Sequence, residues 1–198
     1  WCFNQMMIPE RLTSASGCLG VWGALDLAVR YSNRRAAFGK LIRKHQAVSF
    51  MIADSITRLD AARAVTHMAA KAVDSDAHNK RRIVSEAKKF ATKAAWDVVN
   101  DAMQVMGGIG YTDVYPIERA LRDVRLAMIW TGTSQIMDLM IQHDYYNEVL
   151  NEPYDRRHME KDAMNPDESE RCCTDDDMWR VHESGPFQAM KRPLDNKN

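Results

Sequence analysis

The sequence predicts an all-α fold, a bundle of long antiparallel helices resembling a four-helix bundle, and three observations support this. Apolar residues recur at three- and four-residue steps over most of residues 1–150, which is the period of an amphipathic helix. Short turns rich in glycine, proline or small polar residues separate these segments, as expected for antiparallel neighbours. No stretch shows the sustained alternation of apolar and polar residues that is typical of a strand.

The first helix is predicted to begin near Pro9 or Glu10 and to end near Arg34 or Arg35. Proline is tolerated at a first helical position, and glutamate is favoured at the positive end of the helix dipole. The predicted buried stripe comprises Leu12, Ala15, Leu19, Trp22, Leu25 and Val29.

Glycines at positions 17, 20 and 23 lie along this first helix. Each costs up to about 1 kcal/mol relative to alanine in a helix, so a compensating contact is expected. We expect close approach of a second helix, and close approach of a ligand is the alternative. Phe38 and Gly39 are interpreted as the exit from this segment.

The second helix is predicted from Gln46 to Asp74 and the third from about Arg81 to Met106, with a polar turn over residues 74–79 between them. The second stripe comprises Val48, Ile52, Ile56, Leu59, Ala62, Val65 and Ala69. The third stripe comprises Ile83, Ala87, Phe90, Ala94, Val98, Ala102 and Val105. Two glycines at positions 107 and 108 then end the third helix.

A short fourth helix is predicted to begin at Pro116, and a last core helix to run from Thr133 or Ser134 to about Leu150. Either hydroxyl can cap the last helix. The fourth helix should bury Ile117, Leu121 and Val124 and should leave Arg119, Arg122 and Arg125 solvated or ion-paired. The last helix should present Ile136, Leu139, Met140 and His143 at helical spacing.

Residues 151–198 are predicted to be a polar C-terminal extension to the bundle of residues 1–150, which lies on the bundle or on a partner subunit, or is disordered alone. The formal net charge of the whole sequence is zero, which gives no argument for a nucleic-acid partner. We expect neither a membrane-spanning helix nor a secretion signal. The four cysteines show no metal-ligand spacing, so no metal site is expected, and vicinal Cys172 and Cys173 are interpreted as free thiols rather than a strained disulfide.

Three segments together carry a family resemblance: YSNRRAAFGK at residues 31–40, HQAVSFMIAD at residues 45–54, and QVMGGIGYTDVYPIERALRDVRLAMIWTGTSQ at residues 104–135. In this order and spacing they resemble the C-terminal helical domain of the acyl-CoA dehydrogenases. The resemblance implies a cytoplasmic flavoprotein (in the mitochondrial matrix if eukaryotic) that uses FAD to oxidise acyl-CoA thioesters between Cα and Cβ. It also implies a homodimer or homotetramer, and an electron-transferring flavoprotein as the electron acceptor.

The resemblance places FAD between subunits and assigns residues to it. Those implied to reach the FAD of a neighbouring subunit are Arg35, Phe38, Gln104, Gly107 and Gly108. Thr133 and Gln135 are implied to contact FAD within the same subunit, and the pair His45 and Gln46 is also assigned to the cofactor site. The chemistry agrees, because arginine suits phosphate oxygens and glycine lets backbone N–H groups approach an anion.

The catalytic base departs from the usual pattern. Most members carry a glutamate immediately before the Gly-Thr of this motif, where this sequence has Thr131 followed by Gly132. A threonine hydroxyl is too weak a base to remove a Cα proton, although the backbone N–H of Thr131 is still available to stabilise the enolate-like oxygen. Thr131 and Gly132 are therefore expected to line the substrate site.

The isovaleryl- and long-chain-type members place the glutamate on the first helix, in a Glu-Arg pair that here corresponds to Glu10 and Arg11. We interpret Glu10 as the base and Arg11 as a substrate contact. Counted back from Arg35, Glu10 lies one residue closer than in those enzymes, and a one-residue shift rotates a helical side chain by about 100°. The alternative for Glu10 is a carboxylate that only stabilises the helix start.

Two other functions are compatible with the sequence. An acyl-CoA oxidase would have the same fold and would use oxygen as acceptor. A helical oligomerisation module without turnover is also compatible, because family members complete their pocket with an N-terminal helical domain and a middle β domain. The sequence does not begin with methionine, and we interpret it as part of a longer protein.

Overall fold

The computed structural model describes residues 2–150, with side chains from residue 7 onwards, and these residues confirm the predicted all-α bundle. The helices are α1 (Cys2–Cys18), α2 (Trp22–Ser32), α3 (Gln46–Asp74), α4 (Lys80–Met106), α5 (Gly108–Tyr111), α6 (Ile117–Ala127) and α7 (Ser134–Leu150). Short 3-10 segments occupy Leu19–Val21 and Ile42–Lys44. The predicted extension at residues 151–198 lies outside the described residues.

Helix α4 is the centre of the bundle, in contact with α1, α2, α3, α6 and α7. Its buried positions include many small residues, among them Ala87, Ala91, Ala94, Ala95 and Ala102. Small side chains let neighbouring helices pack closely, and a helix that is buried on several sides needs apolar residues around much of its circumference. The core therefore forms around α4.

The first helix differs from the prediction at its start and in its continuity. Helix α1 begins at Cys2 and carries Pro9 in its interior, whereas proline was expected at the helix start. Proline removes one backbone donor, and the helix continues because Ile8 and Arg11 on either side of the proline are buried. The segment Leu19–Val21 is a 3-10 turn that separates α1 from α2.

The three glycines do not mark close helix packing. A Cβ added at Gly17, Gly20 or Gly23 would meet no atom within 4 Å, so the expected approach of a second helix is wrong for the described residues. Their low helix propensity explains the change to 3-10 geometry between α1 and α2. Gly17 and Gly20 instead line an open groove.

A small β-hairpin, not predicted from the sequence, follows α2. Strand β1 (Ala36–Ala37) pairs antiparallel with β2 (Lys40–Leu41). The turn residues Phe38 and Gly39 have φ angles of 53° and 76°, and two successive positive φ values are typical of a tight two-residue hairpin turn. Positive φ is unfavourable for a phenylalanine, so this turn holds Phe38 in a strained conformation.

The bounds of α3 agree with the prediction, and α4 begins one residue earlier than expected. Most of both predicted stripes is buried or partly buried, but Ile56 and Phe90 at the margins are exposed. In the first segment, Trp22 and Val29 are exposed as well. Helix α6 buries Ile117 and Val124 as predicted.

The residues at helical spacing in α7 do not mark its buried face. Ile136, Leu139 and His143 are exposed, whereas Met137 and Asp144 are buried. The reason is polar anchoring, because Arg81 of α4 donates hydrogen bonds to both carboxylate oxygens of Asp144, one of them at 2.8 Å. These charge-assisted bonds rotate α7 away from the face that its apolar residues alone would select. Arg82 binds Glu148 one helical turn further along.

The stretch Met7–Ser32 is, by length and composition alone, apolar enough to cross a membrane, which was not expected from the sequence. This is weak evidence, because core helices satisfy the same criterion. Ala15, Leu25 and Ala28 of this stretch belong to the core cluster, and the 3-10 turn interrupts it. Its packing is that of a core segment.

The core around α4 makes a prediction for stability. Leu59 of α3 is 1% exposed, so Leu59→Ala should lower the free energy of unfolding by about 2–5 kcal/mol through lost burial and a residual cavity. Leu126→Ala, at a side chain that is 50% exposed, is the matched control and should change it by less than about 0.5 kcal/mol. Urea denaturation followed by circular dichroism measures both. Equal losses for the two variants would contradict this packing.

Candidate substrate and cofactor site

An apolar groove of about 870 Å³ lies between the α1–α2 segment and α6. Its wall on one side is formed by small residues, including Gly17, Gly20 and Ala24. Ala120, Val124 and Ala127 of α6 form much of the other side. A groove of this volume and composition suits an apolar ligand of moderate size.

The groove contains both positions that the sequence singled out for the catalytic base. Glu10 of α1 and Thr131 of the turn before α7 both line it, although they are far apart in the sequence. A carboxylate at either position can therefore serve the same ligand. Nothing in the structure tests the assignment of Glu10 as base, and it stays a prediction.

The turn at Thr131 and Gly132 has a strained backbone. Their φ angles are 52° and 98°, and a positive φ is a genuine outlier for a β-branched residue such as threonine. The φ of Gly132 lies in the region that favours glycine, and a Cβ added there would also lie 2.8 Å from the Met137 Cε atom, the flexible end of that side chain. Strain of this kind persists only where surrounding contacts hold it.

Arg11 provides one of those contacts. It is 2% exposed, and its Nε donates a hydrogen bond to the carbonyl oxygen of Thr131 at 3.3 Å. Burial, and then the charge of Arg81, lower the pKa of Arg11. Arg11 was predicted as a substrate contact, and the structure places its guanidinium behind the turn, against the backbone of a groove residue.

Lys88 provides the second contact and was missed in the sequence, where it is one lysine of a polar stretch in α4. The side chain is fully buried, and Nζ donates a hydrogen bond to the carbonyl oxygen of Gly132 at 2.6 Å. Burial lowers the pKa of Lys88 to about 8, opposed by the neighbouring Cys18. Burial likewise raises the pKa of the Cys18 thiol to about 11.

Two further groove contacts were not foreseen. Trp130 Nε1 donates a hydrogen bond to the Ser14 Oγ atom at 3.0 Å, which ties α1 to the turn before α7. Asp123 of α6 lines the groove and is a second carboxylate there besides Glu10. Because Asp123 is exposed and faces Arg119 at 4.0 Å, it is the natural comparison for Glu10.

A second pocket, of about 480 Å³, lies where α4 ends. Arg35 lines it together with Gly107 and Gly108, three residues that were assigned to the cofactor from the sequence. Gly107 has a φ of 64°, a conformation that favours glycine. The structure thus brings a permanent cation beside exposed backbone, an arrangement suited to phosphate oxygens.

The other predicted cofactor residues do not line this pocket. Phe38 is 96% exposed at the hairpin turn. Its ring and the His45 ring are arranged edge to face, with 6.2 Å between the ring centroids. The His45 Nε2 atom lies 3.3 Å from the carbonyl oxygen of Ala37. Gln46, Gln104 and Gln135 have exposed side chains.

Thr133 begins the last helix. Its Oγ1 accepts a hydrogen bond from the backbone N–H of Ile136 at 3.3 Å, so Thr133 is the cap that the sequence predicted for α7. Ser134, the alternative cap, has a buried Oγ without a hydrogen-bond partner among the described residues. The Thr131 Oγ1 atom is also buried without a hydrogen-bond partner among the described residues.

Comparisons with known proteins agree with this architecture. The sequence pattern of the acyl-CoA dehydrogenase C-terminal domain matches residues 3–145. The chain therefore belongs to the acyl-CoA dehydrogenase family and contains its C-terminal domain. Assignment to the isovaleryl- or long-chain-type branch is not tested by this match.

Among curated relatives, cyclohexane-1-carbonyl-CoA dehydrogenase of Geobacter metallireducens is 39% identical over 64% of this chain and 33% of its own length. The CarC subunit of the caffeyl-CoA reductase–Etf complex of Acetobacterium woodii is 41% identical over 66% of this chain and 35% of its own length. This chain thus spans about a third of the curated relatives that it matches.

Solved structures show the same fold. Butyryl-CoA dehydrogenase of Megasphaera elsdenii superposes with a TM-score of 0.69 at 30% identity, covering 73% of this chain and 38% of that one. A structure described as an electron transferring flavoprotein of Acidaminococcus fermentans gives a TM-score of 0.69 at 35% identity, covering 75% and 38% of the two chains.

The buried pair Lys88 and Cys18 predicts a pH dependence of stability. The pKa of Lys88 is about 8 when folded and 10.5 ordinarily, so the unfolded chain holds this proton more tightly and the free energy of unfolding rises between these pH values, by up to about 3 kcal/mol. The pKa of Cys18 is about 11 in the folded chain and 9.0 ordinarily. The folded chain therefore holds this proton more tightly, and the contribution of Cys18 to the free energy of unfolding falls as the pH rises from 9 to 11.

Denaturation of the 198-residue chain from pH 7.5 to 10.5 measures both effects. Relative to Lys88→Met, the unmodified chain should gain stability from pH 8 upwards. Relative to Cys18→Ala, it should lose stability above pH 9. Parallel pH profiles for the chain and Lys88→Met would show that Lys88 does not titrate in this window.

Proposed function

We propose that the protein containing this chain is an FAD-dependent dehydrogenase that oxidises an acyl-CoA thioester between Cα and Cβ. The observation that carries this proposal is the shared groove, where Glu10 and Thr131 line one apolar space that can hold an acyl chain. Family membership and relatives described as CoA-thioester dehydrogenases or reductases support it.

Glu10 acts as the base in this proposal. The Cα proton of a thioester is only weakly acidic, so its removal needs a carboxylate at that carbon. Glu10 removes this proton, and FAD, when bound, would supply the acceptor for the hydride from Cβ. Thr131 contributes its backbone rather than its hydroxyl, since its amide N–H is available to the developing negative charge on the thioester oxygen.

The pocket at the end of α4 fits the diphosphate part of FAD. Arg35 supplies a planar guanidinium group suited to phosphate oxygens, and Gly107 and Gly108 leave the backbone open because no Cβ is present. Thr133 and Gln135 at the start of α7 would hold the cofactor bound to the same subunit. The exposed Phe38 at the hairpin turn is suited to reach a neighbouring subunit in a dimer or tetramer.

An electron-transferring flavoprotein is the proposed electron acceptor. Two similar proteins are described in connection with such a partner, the CarC subunit of an Etf complex and the Acidaminococcus structure. A cytoplasmic location, or the mitochondrial matrix in a eukaryote, fits this partner. The competing acyl-CoA oxidase is distinguished by hydrogen peroxide release in air, and the oligomerisation module by absence of flavin reduction with any acyl-CoA.

Glu10→Gln should abolish substrate oxidation while preserving acyl-CoA binding, because the amide keeps the size of the side chain but cannot accept the proton. Anaerobic mixing of the complete flavoprotein with acyl-CoA should no longer bleach the flavin absorbance, with a rate at least about 1,000-fold lower. Binding is measured separately by calorimetry. Normal bleaching by this variant would exclude Glu10 as the base.

Asp123→Asn is the matched control, a carboxylate-to-amide change in the same groove, and should retain bleaching. A second arm adds Thr131→Glu to the Glu10→Gln variant. Because both positions line one groove, the new carboxylate should restore part of the bleaching. Loss of bleaching in Asp123→Asn alone would assign the base to Asp123 instead.

Arg35→Ala should reduce the FAD content of the purified complete protein by at least about tenfold, because a charge-assisted bond to phosphate is lost beside the Gly107 turn. Arg34→Ala is the matched control, since Arg34 is the adjacent exposed arginine and does not line the pocket. FAD released on denaturation, divided by protein concentration, measures both. Equal FAD contents in the two variants would contradict the cofactor assignment of this pocket.

A further inference from the structure

The structure assigns to Lys88 the role of a positioning residue: it holds the Gly132 carbonyl towards the core, so that the next backbone N–H, that of Thr133, is presented outwards as a donor to a bound ligand. The identity of that ligand, the flavin or its phosphates, rests on the proposed function. The orientation of the peptide does not, and it can be tested without any activity.

The environment of Lys88 is hard to explain by packing alone. A fully buried lysine is costly unless its charge is compensated, and Lys88 forms no ion pair with the described residues. Its Nζ instead donates a hydrogen bond to the Gly132 carbonyl oxygen at 2.6 Å. An apolar side chain of similar size would fill the space at lower cost, so the ammonium group must serve the turn.

Peptide geometry connects this bond to Thr133. The peptide between Gly132 and Thr133 is planar and trans, since no cis peptide bond is present in the described chain, so its C=O and N–H point in opposite directions. With the carbonyl fixed on Lys88, the Thr133 N–H points away from the core. This N–H has no hydrogen-bond acceptor within the described residues.

A second buried cation prevents the turn from rotating as a unit. Arg11 of α1 holds the preceding carbonyl, that of Thr131, at 3.3 Å. Two consecutive carbonyls are therefore fixed from two different helices, which explains how Thr131 keeps its positive φ. The hydroxyl of Thr133 is already used to cap α7, which leaves its backbone N–H as the donor available for a ligand.

The charge on Lys88 should also strengthen this donor. A cation bonded to a carbonyl polarises the whole peptide and makes its N–H a better hydrogen-bond donor. The titratable groups that act on Lys88 are Arg11 and Cys18, both on α1. Cys18 stays protonated below pH 9, so a change in the Thr133 amide between pH 7 and 9 reports Lys88.

Nuclear magnetic resonance of the labelled 198-residue chain tests this directly. The Thr133 amide signal should titrate with a midpoint near the Lys88 pKa of about 8, and this step should be absent in Lys88→Met. Lys89→Met is the matched control, because Lys89 is the adjacent exposed lysine, paired with Asp138, and it should keep the step.

A second readout uses the complete protein, where Lys88→Met should weaken FAD binding at least about fivefold and Lys89→Met should not. If the Thr133 step is missing in the unmodified chain, or persists in Lys88→Met, the positioning role is overturned. If Lys88→Met does not fold, the titration of the unmodified chain still decides. A normal Thr133 step with no flavin binding by any variant would refute the proposed function and leave the positioning role intact.

Discussion

The turn before α7 depends on two buried cations that hold adjacent carbonyl groups. Thr131 and Gly132 both have positive φ, and a threonine does not adopt that conformation without external support. Arg11 and Lys88 supply the support from α1 and α4. Burying the like charges of Arg11 and Lys88 near each other lowers the stability of the fold. Their hydrogen bonds hold the backbone at the groove in one orientation.

Helix α4 links this turn to the second pocket. Lys88 lies in its first half, and the helix ends at Met106 beside Gly107. At about 1.5 Å per residue, the distance along the helix axis between the two sites is about 27 Å. A continuous helix buried among neighbours on several sides is stiff, so the groove and the pocket at the end of α4 are held at a fixed separation.

The fold was largely predictable because it depends on the period of apolar residues. The bounds of α3 followed from a long, regular stripe, and the end of α4 followed from Gly107. The start of the first helix could not be predicted, because Pro9 is compatible with both a helix start and a tolerated interior position. The orientation of α7 was missed because ion pairs between distant residues, Arg81 with Asp144 and Arg82 with Glu148, decided it.

The site was predictable in part. The family motif placed Arg35 together with Gly107, and the structure brings them to one pocket. Lys88 gave no signal, since a lysine in a polar stretch of a helix is normally exposed. The role of Gly17 and Gly20 also depended on three-dimensional context, because a sequence does not reveal whether the space beside a glycine is filled by a helix or left open.

The Cys18 thiol lines the groove and is also a potential nucleophile. The product of the proposed reaction is an α,β-unsaturated thioester, whose Cβ is open to attack by a thiolate. Burial keeps the pKa of Cys18 near 11, so at neutral pH only about one thiol in ten thousand is ionised, and the thiolate is the reactive form. The apolar wall that receives the acyl chain thus also protects the protein from covalent modification by its own product.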